Sequence, residues 1–457
     1  MKKVAMYENE KILVLGLARS GMSAARLLHQ LGALVTVNDG KDFDENPEAQ
    51  ELLSMGIRVV AGGHPVELLD EEFTLVVKNP GIPYSNPILE KAIEKNIPII
   101  TEVELAYQIA EATIVGITGT NGKTTTTTMI GDILTAGLEK GTALLAGNIG
   151  APASTIAQNA QAEDVLVTEL SSFQLMGVRA FKPHIGVITN IYEAHLDYHS
   201  SRDEYVNAKW AMQQNMTKED ILIVNGNQPE LKELARTTKA QVLYFSTSQE
   251  ESASAYVAED TIYYLGDKIM TTTELGVPGE HNIENALAAI LVAKQFNISN
   301  ETIKTALQHF GGVEHRTEFV TEIEGCKYYN DSKATNILAT EKALSGFDNS
   351  KTILLAGGLD RGNDFDELVP SIKGLKGIVL YGESKYKLKE AADVSNITNI
   401  KVVNTLEEAV SEAVPMSTKG DAILLSPACA SWDQYKNFEI RGNVFKEEVK
   451  KIKGKSE

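Results

Sequence analysis

The chain has 457 residues, too many for one hydrophobic core, and at about 150 residues per domain it should divide into two to four domains. With 43% hydrophobic and 23% charged residues it reads as a globular protein, and no apolar run is long enough to cross a bilayer. A net charge of −19 excludes the basic face a nucleic-acid partner asks for, but not a few cations converging on a small anionic substrate.

The opening M-K-K-V-A-M-Y-E-N-E has no apolar stretch of the kind a secretory leader carries, so the cytoplasm is expected. Residues 1–101 then alternate short apolar strands with helical segments: strands at 11–15, 34–38, 58–61, 75–78 and 97–101, and a helix at 20–32. That alternation predicts a parallel, Rossmann-like sheet. Between its first strand and helix runs G-L-A-R-S-G, residues 16–21, and Asp39 closes the second strand. The dinucleotide fingerprint would put glycine where Ala18 stands. A methyl group there obstructs a nicotinamide cofactor's pyrophosphate, and a different diphosphate nucleotide suits the loop better. N-P-G-I-P, residues 79–83, is a stiff turn after a strand, where such sheets bind ligands.

A second strand and helix alternation follows, opening on V-G-I-T-G-T-N-G-K-T-T-T-T-T, residues 115–128. Glycines between a strand and a helix let successive backbone N–H groups face one concavity at the helix N-terminus, which is a phosphate site. Lys123 supplies a cation and Thr124 a hydroxyl for magnesium. The spacing differs from a standard P-loop, with Ile117 where the first glycine would fall. The expected ligand is a nucleoside triphosphate with Mg2+. Further strands are expected at 164–169, 185–190, 221–225 and 241–245, a small antiparallel excursion in 250–273, and a helix at 281–296.

A third region shows strands at 327–330, 351–356, 377–381 and 422–426, separated by helices, and ends in a charged helix and a solvated, lysine-rich tail. Cys326 and Cys429 stand far apart outside any C-x-x-C pattern, so two buried thiols are expected rather than a zinc site or disulfide.

Several polar groups sit at the ends of predicted strands, where open α/β sheets place ligands. Glu169 closes an apolar strand and reads either as a Mg2+ ligand or as a carboxylate capping the following helix. In N-I-Y-E-A-H-L-D-Y-H, His195 or His199 could serve a metal or a phosphate, or be structural. Lys209, beside an aromatic ring, reads by itself as an ordinary snorkelling lysine. In the third region His315-Arg316, N-D-S-K-A-T-N (330–336), G-G-L-D-R-G-N-D-F (357–365) and the segment 426–442 are dense in groups that bind anions or polarise carbonyls.

Taken together, G-T-N-G-K-T-T, G-N-I-G, E-L-S-S-F-Q-L, the segment 190–197, H-N-I-E-N-A, H-R, N-D-S-K-A-T-N and S-P-A-C-A-S-W-D-Q resemble the Mur ligase family over essentially the whole chain. The resemblance implies three α/β domains: a Rossmann-like domain for the UDP end of the substrate (1–101), a central P-loop-type ATPase (102–312) and a Rossmann-like domain for D-glutamate (313–457). It implies an ATP-dependent amide ligase of peptidoglycan precursor synthesis, joining D-glutamate to UDP-N-acetylmuramoyl-L-alanine through an acyl phosphate. The expected partners are these small molecules alone, and the expected state is a monomer.

Carried over by position, the phosphate loop Gly119, Thr120, Asn121, Gly122, Lys123, Thr124 and Thr125 would hold ATP, with Lys123 on the β and γ phosphates. Thr124 and Glu169 would hold one Mg2+. His195 would serve a second, bridged by Lys209, which in this family is typically carbamylated. Asn148, counted with the UDP-substrate contacts, and Asn282 would line the phosphate and adenine sides, and Arg316 and Asp331 the ATP ribose and phosphates. Arg19, Ser20, Asp39 and Gly81 match uridine-nucleotide contacts. Lys333 and Thr335 fall near the second substrate, and Arg361, Ser431 and Phe438 match positions that receive D-glutamate, although Arg361 departs from members with lysine there. Two other readings compete. Folylpolyglutamate synthases share the phosphate loop, but the domain ahead of it fits a UDP-sugar better; an NTP-dependent switch would want an N-K-x-D motif, which this chain lacks.

Overall fold

The computed structural model describes residues 1–194, 198–362 and 364–456. By its contacts the chain forms two compact units, Met1–Thr272 with Glu284–Leu307, and Thr273–Ile283 with Gln308–Glu457. The first holds two sheets and the second holds one.

The N-terminal sheet is fully parallel, in the spatial order Arg58–Ala61, Leu34–Asp39, Lys11–Leu15, Leu75–Lys78, Ile99–Ile100. The chain direction across the sheet reverses between Lys11–Leu15 and Leu75–Lys78, so the loop 16–21 and the turn 79–83 leave adjacent strands at the switch point where such sheets hold ligands. Helix Arg19–Gln30 buries Leu27 and Leu28 beside Val14 and Val37, while the opposite sheet face packs Leu13 and Leu15 on Leu69, Ile88 and Leu89. The predicted strand 97–101 contracts to Ile99–Ile100 at the sheet edge, because Pro98 has no N–H to give the ladder.

The second sheet has nine described strands, ordered Asp267–Thr271, Thr261–Tyr264, Ala253–Ala258, Gln241–Ser246, Ile221–Asn225, Ile185–Ile188, Thr113–Thr118, Val165–Glu169, Ala143–Gly147. Its first three strands in that order pair antiparallel, the expected excursion, and the rest are parallel. Thr113–Thr118 lies between Val165–Glu169 and Ile185–Ile188, so three carboxyl ends deliver the phosphate loop, Glu169 and Thr189-Asn190 to one place. The apolar strand Ala143–Gly147, beside Val165–Glu169, was not expected; its five residues A-L-L-A-G carry no period that separates strand from helix.

The third sheet runs Glu318–Ile323, Cys326–Asn330, Ala422–Leu425, Thr352–Gly357, Gly377–Tyr381, Ile400–Val402, parallel except for its first strand. The two strands the sequence did not show, Glu318–Ile323 and Ile400–Val402, are the half-exposed edges, where alternation is weakest. Separate apolar clusters fill its two faces, one around Leu354, Leu380 and Leu424 and one around Ile353, Val379 and Phe445. Among the described residues no helix is long and apolar enough to cross a membrane.

Candidate active site

The phosphate loop is shaped by contacts that forbid side chains. Gly119 has φ +149°, and a Cβ there would collide with Thr189 Oγ1; Gly122 has φ +78°, and a Cβ there would collide with Asn285 Oδ1. The loop is pinned from the Ile185–Ile188 strand end. Asn190 Oδ1 accepts from Asn121 N at 2.8 Å, the Asn190 carbonyl accepts from Thr120 N at 2.8 Å, and Thr189 Oγ1 donates to the Asn121 carbonyl at 2.6 Å. Helix Lys123–Gly137 begins directly on Gly122, so its free N–H groups face the loop. Thr124 and Thr125 in its first turn are nearly buried.

Two lysines meet at this loop. Lys123 Nζ donates to the Gly119 and Thr120 carbonyls, both at 2.9 Å, and Lys209 Nζ donates to the same Gly119 carbonyl at 2.7 Å. Lys209 is 1% exposed, with its amine 4.6 Å from the Tyr205 ring centroid. Burial, reinforced by the neighbouring Lys123 charge and only partly offset by Glu169, holds its pKa well below that of a free lysine. It reaches the loop because helix Arg202–Trp210, capped by Ser201 Oγ on Glu204 N at 3.1 Å, aims it there. Reading Lys209 from sequence as a snorkelling side chain fails on this point.

Glu169 is the counter-charge. It is 2% exposed and sits in register with Ile117 at the end of its strand; Oε1 accepts from Asn148 Nδ2 at 2.8 Å, while Oε2 is buried and accepts from none of the described residues. The following helix is capped by Ser171 with Gln174, a capping box, so Glu169 is not its cap. A buried carboxylate oxygen left open beside a phosphate loop fits a cation. Among the described residues no three His, Cys, Asp or Glu side chains gather, so such an ion would rest on Glu169, a hydroxyl and phosphate oxygens. His195 lies outside the described residues. His199, the other histidine candidate, is fully buried among Phe173, Tyr198 and Tyr205, and its Nε2 lies 2.9 Å from Ser172 Oγ, a structural position.

On the N-terminal sheet, Asp39 Oδ2 accepts from Leu17 N at 2.7 Å and Oδ1 from Lys41 N at 2.9 Å, which ties the loop 16–21 to the second strand. Arg19 is exposed and Ser20 half-buried at the start of their helix, and Gly81 is exposed on the turn 79–83. Gly16, at φ +90°, allows Ile82 and Asn79 to approach the loop; a Cβ there would stand 2.7 Å from Ile82 Cδ1. Asn148 lies with Glu169 rather than with this group.

The second unit gathers its own set. Asp331, 4% exposed, accepts from Thr317 N at 3.1 Å and Ser426 Oγ at 2.8 Å, and burial lifts its pKa to about 7. Arg316 sends a positive field onto Asp331 and keeps a buried Nε with no acceptor. His281 feels the charges of Arg316 and Lys342, and burial first, then those charges, lowers its pKa. Next to it Asn282 Nδ2 donates to the Pro278 carbonyl at 2.6 Å. Lys333 Nζ lies 5.6 Å from the Phe438 ring centroid, and Thr335 N donates to the Lys333 carbonyl at 2.9 Å. Ser431 is 2% exposed, and the Arg361 guanidinium stacks 4.9 Å over Trp432, a ring that is 64% exposed.

Sequence reasoning missed Thr189 and Asn285, which shape the phosphate loop, and Tyr205, whose hydroxyl lies 3.0 Å from Thr120 Oγ1. It also missed Lys78, a lysine ending an apolar strand just before the Pro-Gly turn, a signal that was open to reading.

Comparison with known proteins accounts for all three sheets. Residues 10–101 match a family described as Mur ligase MurD-like, N-terminal domain; residues 117–293 match Mur ligase middle domain; and residues 315–429 match Mur ligase, glutamate ligase domain. The chain is 65% identical over 453 residues to the UDP-N-acetylmuramoylalanine--D-glutamate ligase of Enterococcus faecalis, covering 99% of each chain. It is 63% identical to that of Enterococcus hirae, with 97% of each covered, and 58% identical to that of Streptococcus pneumoniae, with 99% of this chain and 100% of the relative covered. Among solved structures, UDP-N-acetylmuramate-alanine ligase MurC of Thermotoga maritima shares the fold, with a TM-score of 0.58 at 19% identity over 97% of this chain and 100% of that one. So does MurF ligase of the same organism, in complex with ADP, with a TM-score of 0.57 at 16% identity over 98% and 96%.

Proposed function

The chain belongs to the Mur ligase family, and from that premise we propose that it is the ATP-dependent ligase joining D-glutamate to UDP-N-acetylmuramoyl-L-alanine. The observation that carries the reading is the convergence of Lys123 and Lys209 on the Gly119 carbonyl beside the open, buried Glu169 oxygen. Two amines around one loop and a carboxylate left for a cation are the complement of a triphosphate with Mg2+.

A carboxylate is a poor acyl donor, so the alanyl carboxylate oxygen attacks the γ-phosphorus of ATP. ADP leaves and an acyl phosphate forms. The D-glutamate amine then adds to the acyl carbon, and the tetrahedral intermediate expels phosphate, leaves the amide and loses a proton. Lys123 and the N–H groups at the start of helix Lys123–Gly137 hold the phosphoryl oxygens as charge builds on them. Glu169 and Thr124 would hold Mg2+, which would neutralise phosphate charge. By the family resemblance, His195 and Lys209 would serve a second ion. Lys209 would serve this as a carbamate: a neutral amine adds to CO2 and releases a proton, and burial favours that neutral form.

Loop 16–21, Asp39 and Gly81 receive the uridine nucleotide, with Arg19 and Ser20 at the exposed helix start and Asn148 toward the phosphates. Asn282, Arg316 and Asp331 serve the ATP base, ribose and phosphates, and Lys333, Thr335, Arg361, Ser431 and Phe438 receive D-glutamate. We retain the division at 101 and 312, one sheet per substrate, and a cytoplasmic monomer. Holding the reactants in line is worth about 7 to 11 kcal/mol in favourable intramolecular cases.

Phosphate release tests the reading directly. With ATP and Mg2+, release should require both UDP-N-acetylmuramoyl-L-alanine and D-glutamate, and L-glutamate should not substitute. Release without any amino acid would point to a nucleotide switch, and a requirement for folate to a folylpolyglutamate synthase.

A further inference from the structure

Strand Leu75–Lys78 places three apolar residues and then a lysine that is 1% exposed. Lys78 Nζ donates to the Pro80 carbonyl at 3.1 Å and to Tyr198 OH at 3.1 Å, and lies 4.9 Å and 5.8 Å from the Tyr84 and Tyr198 ring centroids. Burial brings the pKa of its amine down to about 7. An ammonium buried with no carboxylate partner among the described residues is costly, and methionine of similar length would remove that cost. What methionine could not do is fill the lone pair of Tyr198 OH while holding the turn's carbonyl.

Tyr198 OH is 3.0 Å from the Pro80 carbonyl and 2.9 Å from that of Ile82, so the turn 79–83 is gathered around one hydroxyl from 116 residues further along the chain. The Tyr198 ring packs edge-on against His199 at 5.3 Å, His199 against Tyr205 at 5.2 Å, and Tyr205 carries the Lys209 amine over its face and touches Thr120 through its hydroxyl. Packed rings therefore run from the turn bearing Gly81 to the phosphate loop, all within the first compact unit.

We infer that Lys78 and Tyr198 are positioning residues of the ligase reaction, which lock the turn 79–83 into the shape that receives the uridine nucleotide and fasten it to the ring stack behind the phosphate loop. The inference rests on the uridine-nucleotide reading of that turn. Neither residue touches the reacting atoms; each acts through the turn.

The test uses the full-length protein and its Lys78→Met, Tyr198→Phe and double variants. Each single variant should raise KM for UDP-N-acetylmuramoyl-L-alanine by about five- to tenfold, the scale of one ordinary intramolecular hydrogen bond, with KM for ATP within about twofold of wild type. The double variant should be no worse than the worse single one, since both break one linkage. Titration of the uridine substrate without ATP should show the same loss in Kd. A substrate KM within about twofold of wild type in both single variants would overturn the inference. So would additive losses, or KM values for both substrates rising together with a fall in Tm, which would leave only a packing role. Wild-type protein indifferent to the uridine substrate would overturn the functional reading itself, whereas variants matching an active wild type overturn this inference alone.

Discussion

At the scale of single residues the phosphate loop is a problem of charge. Lys123 and Lys209 bring two amines to one carbonyl, a gathering of donors that suits a triphosphate. Lys123→Ala should keep its fold, seen in an unchanged circular dichroism spectrum, and lose at least about 10² to 10³ in kcat, as for other residues that neutralise transition-state charge. Lys209→Ala should be inactive, and added short carboxylates should restore part of the rate by standing where the carbamate would; failure of every carboxylate tested would count against carbamylation. Lys78 makes a prediction about stability. Between its folded pKa of about 7 and the ordinary 10.5 the unfolded chain binds the extra proton, so this residue makes the fold more stable as pH rises. The unfolding free energy of wild type minus Lys78→Met should therefore climb by up to about 1.4 kcal/mol per pH unit across that window. Chemical denaturation at several pH values measures it, and a flat difference would mean the amine titrates normally.

At the scale of elements, the loop and the helix behind Lys209 are the vulnerable parts. Gly122 combines φ +78° with a contact to Asn285 that leaves no room for a methyl group. Gly122→Ala should raise KM for ATP at least about tenfold and cost more than about 1 kcal/mol of stability. Ser201 caps the helix that carries Lys209, and Ser201→Ala should cost about 0.5 to 2 kcal/mol by denaturant titration. Most parallel strands were legible because buried strands are short continuous apolar runs: 11–15, 75–78, 221–225 and 377–381 fall where expected. The edge strand Ile400–Val402 was not, since half-exposed residues need no strong pattern, although the edge strand Arg58–Ala61 was.

At the scale of the whole molecule, one apolar cluster spans both sheets of the first unit, and a buried carboxylate on the helix between them adds hydrogen bonds to it. Glu104, fully buried in helix Glu102–Ile109, accepts from the backbone N–H groups of Arg179, Ala180 and Phe181 at 2.9, 2.9 and 3.0 Å. Just before it, Thr101 Oγ1 donates to the Gln174 carbonyl at 2.6 Å. Glu104→Ala would take the acceptor from three backbone donors, of which that of Phe181 is buried, and should cost about 1 to 3 kcal/mol, read as a lowered denaturation midpoint. A loss below about 1 kcal/mol would mean that water reaches those groups.

The amino-acid order alone determined the alternation of strands and helices, the glycine-rich loop and the family resemblance, because each depends on neighbours within a dozen residues. Tertiary structure decided which side chains meet. Lys209 reaches a carbonyl 90 residues back, and Lys78 reaches a hydroxyl 120 residues ahead. It also left one oxygen of Glu169 open and closed aromatic rings around His199. The reason is physical: the charge state and partners of a polar group follow from burial and from what the folded chain brings within hydrogen-bonding distance, and neither is encoded in its immediate sequence.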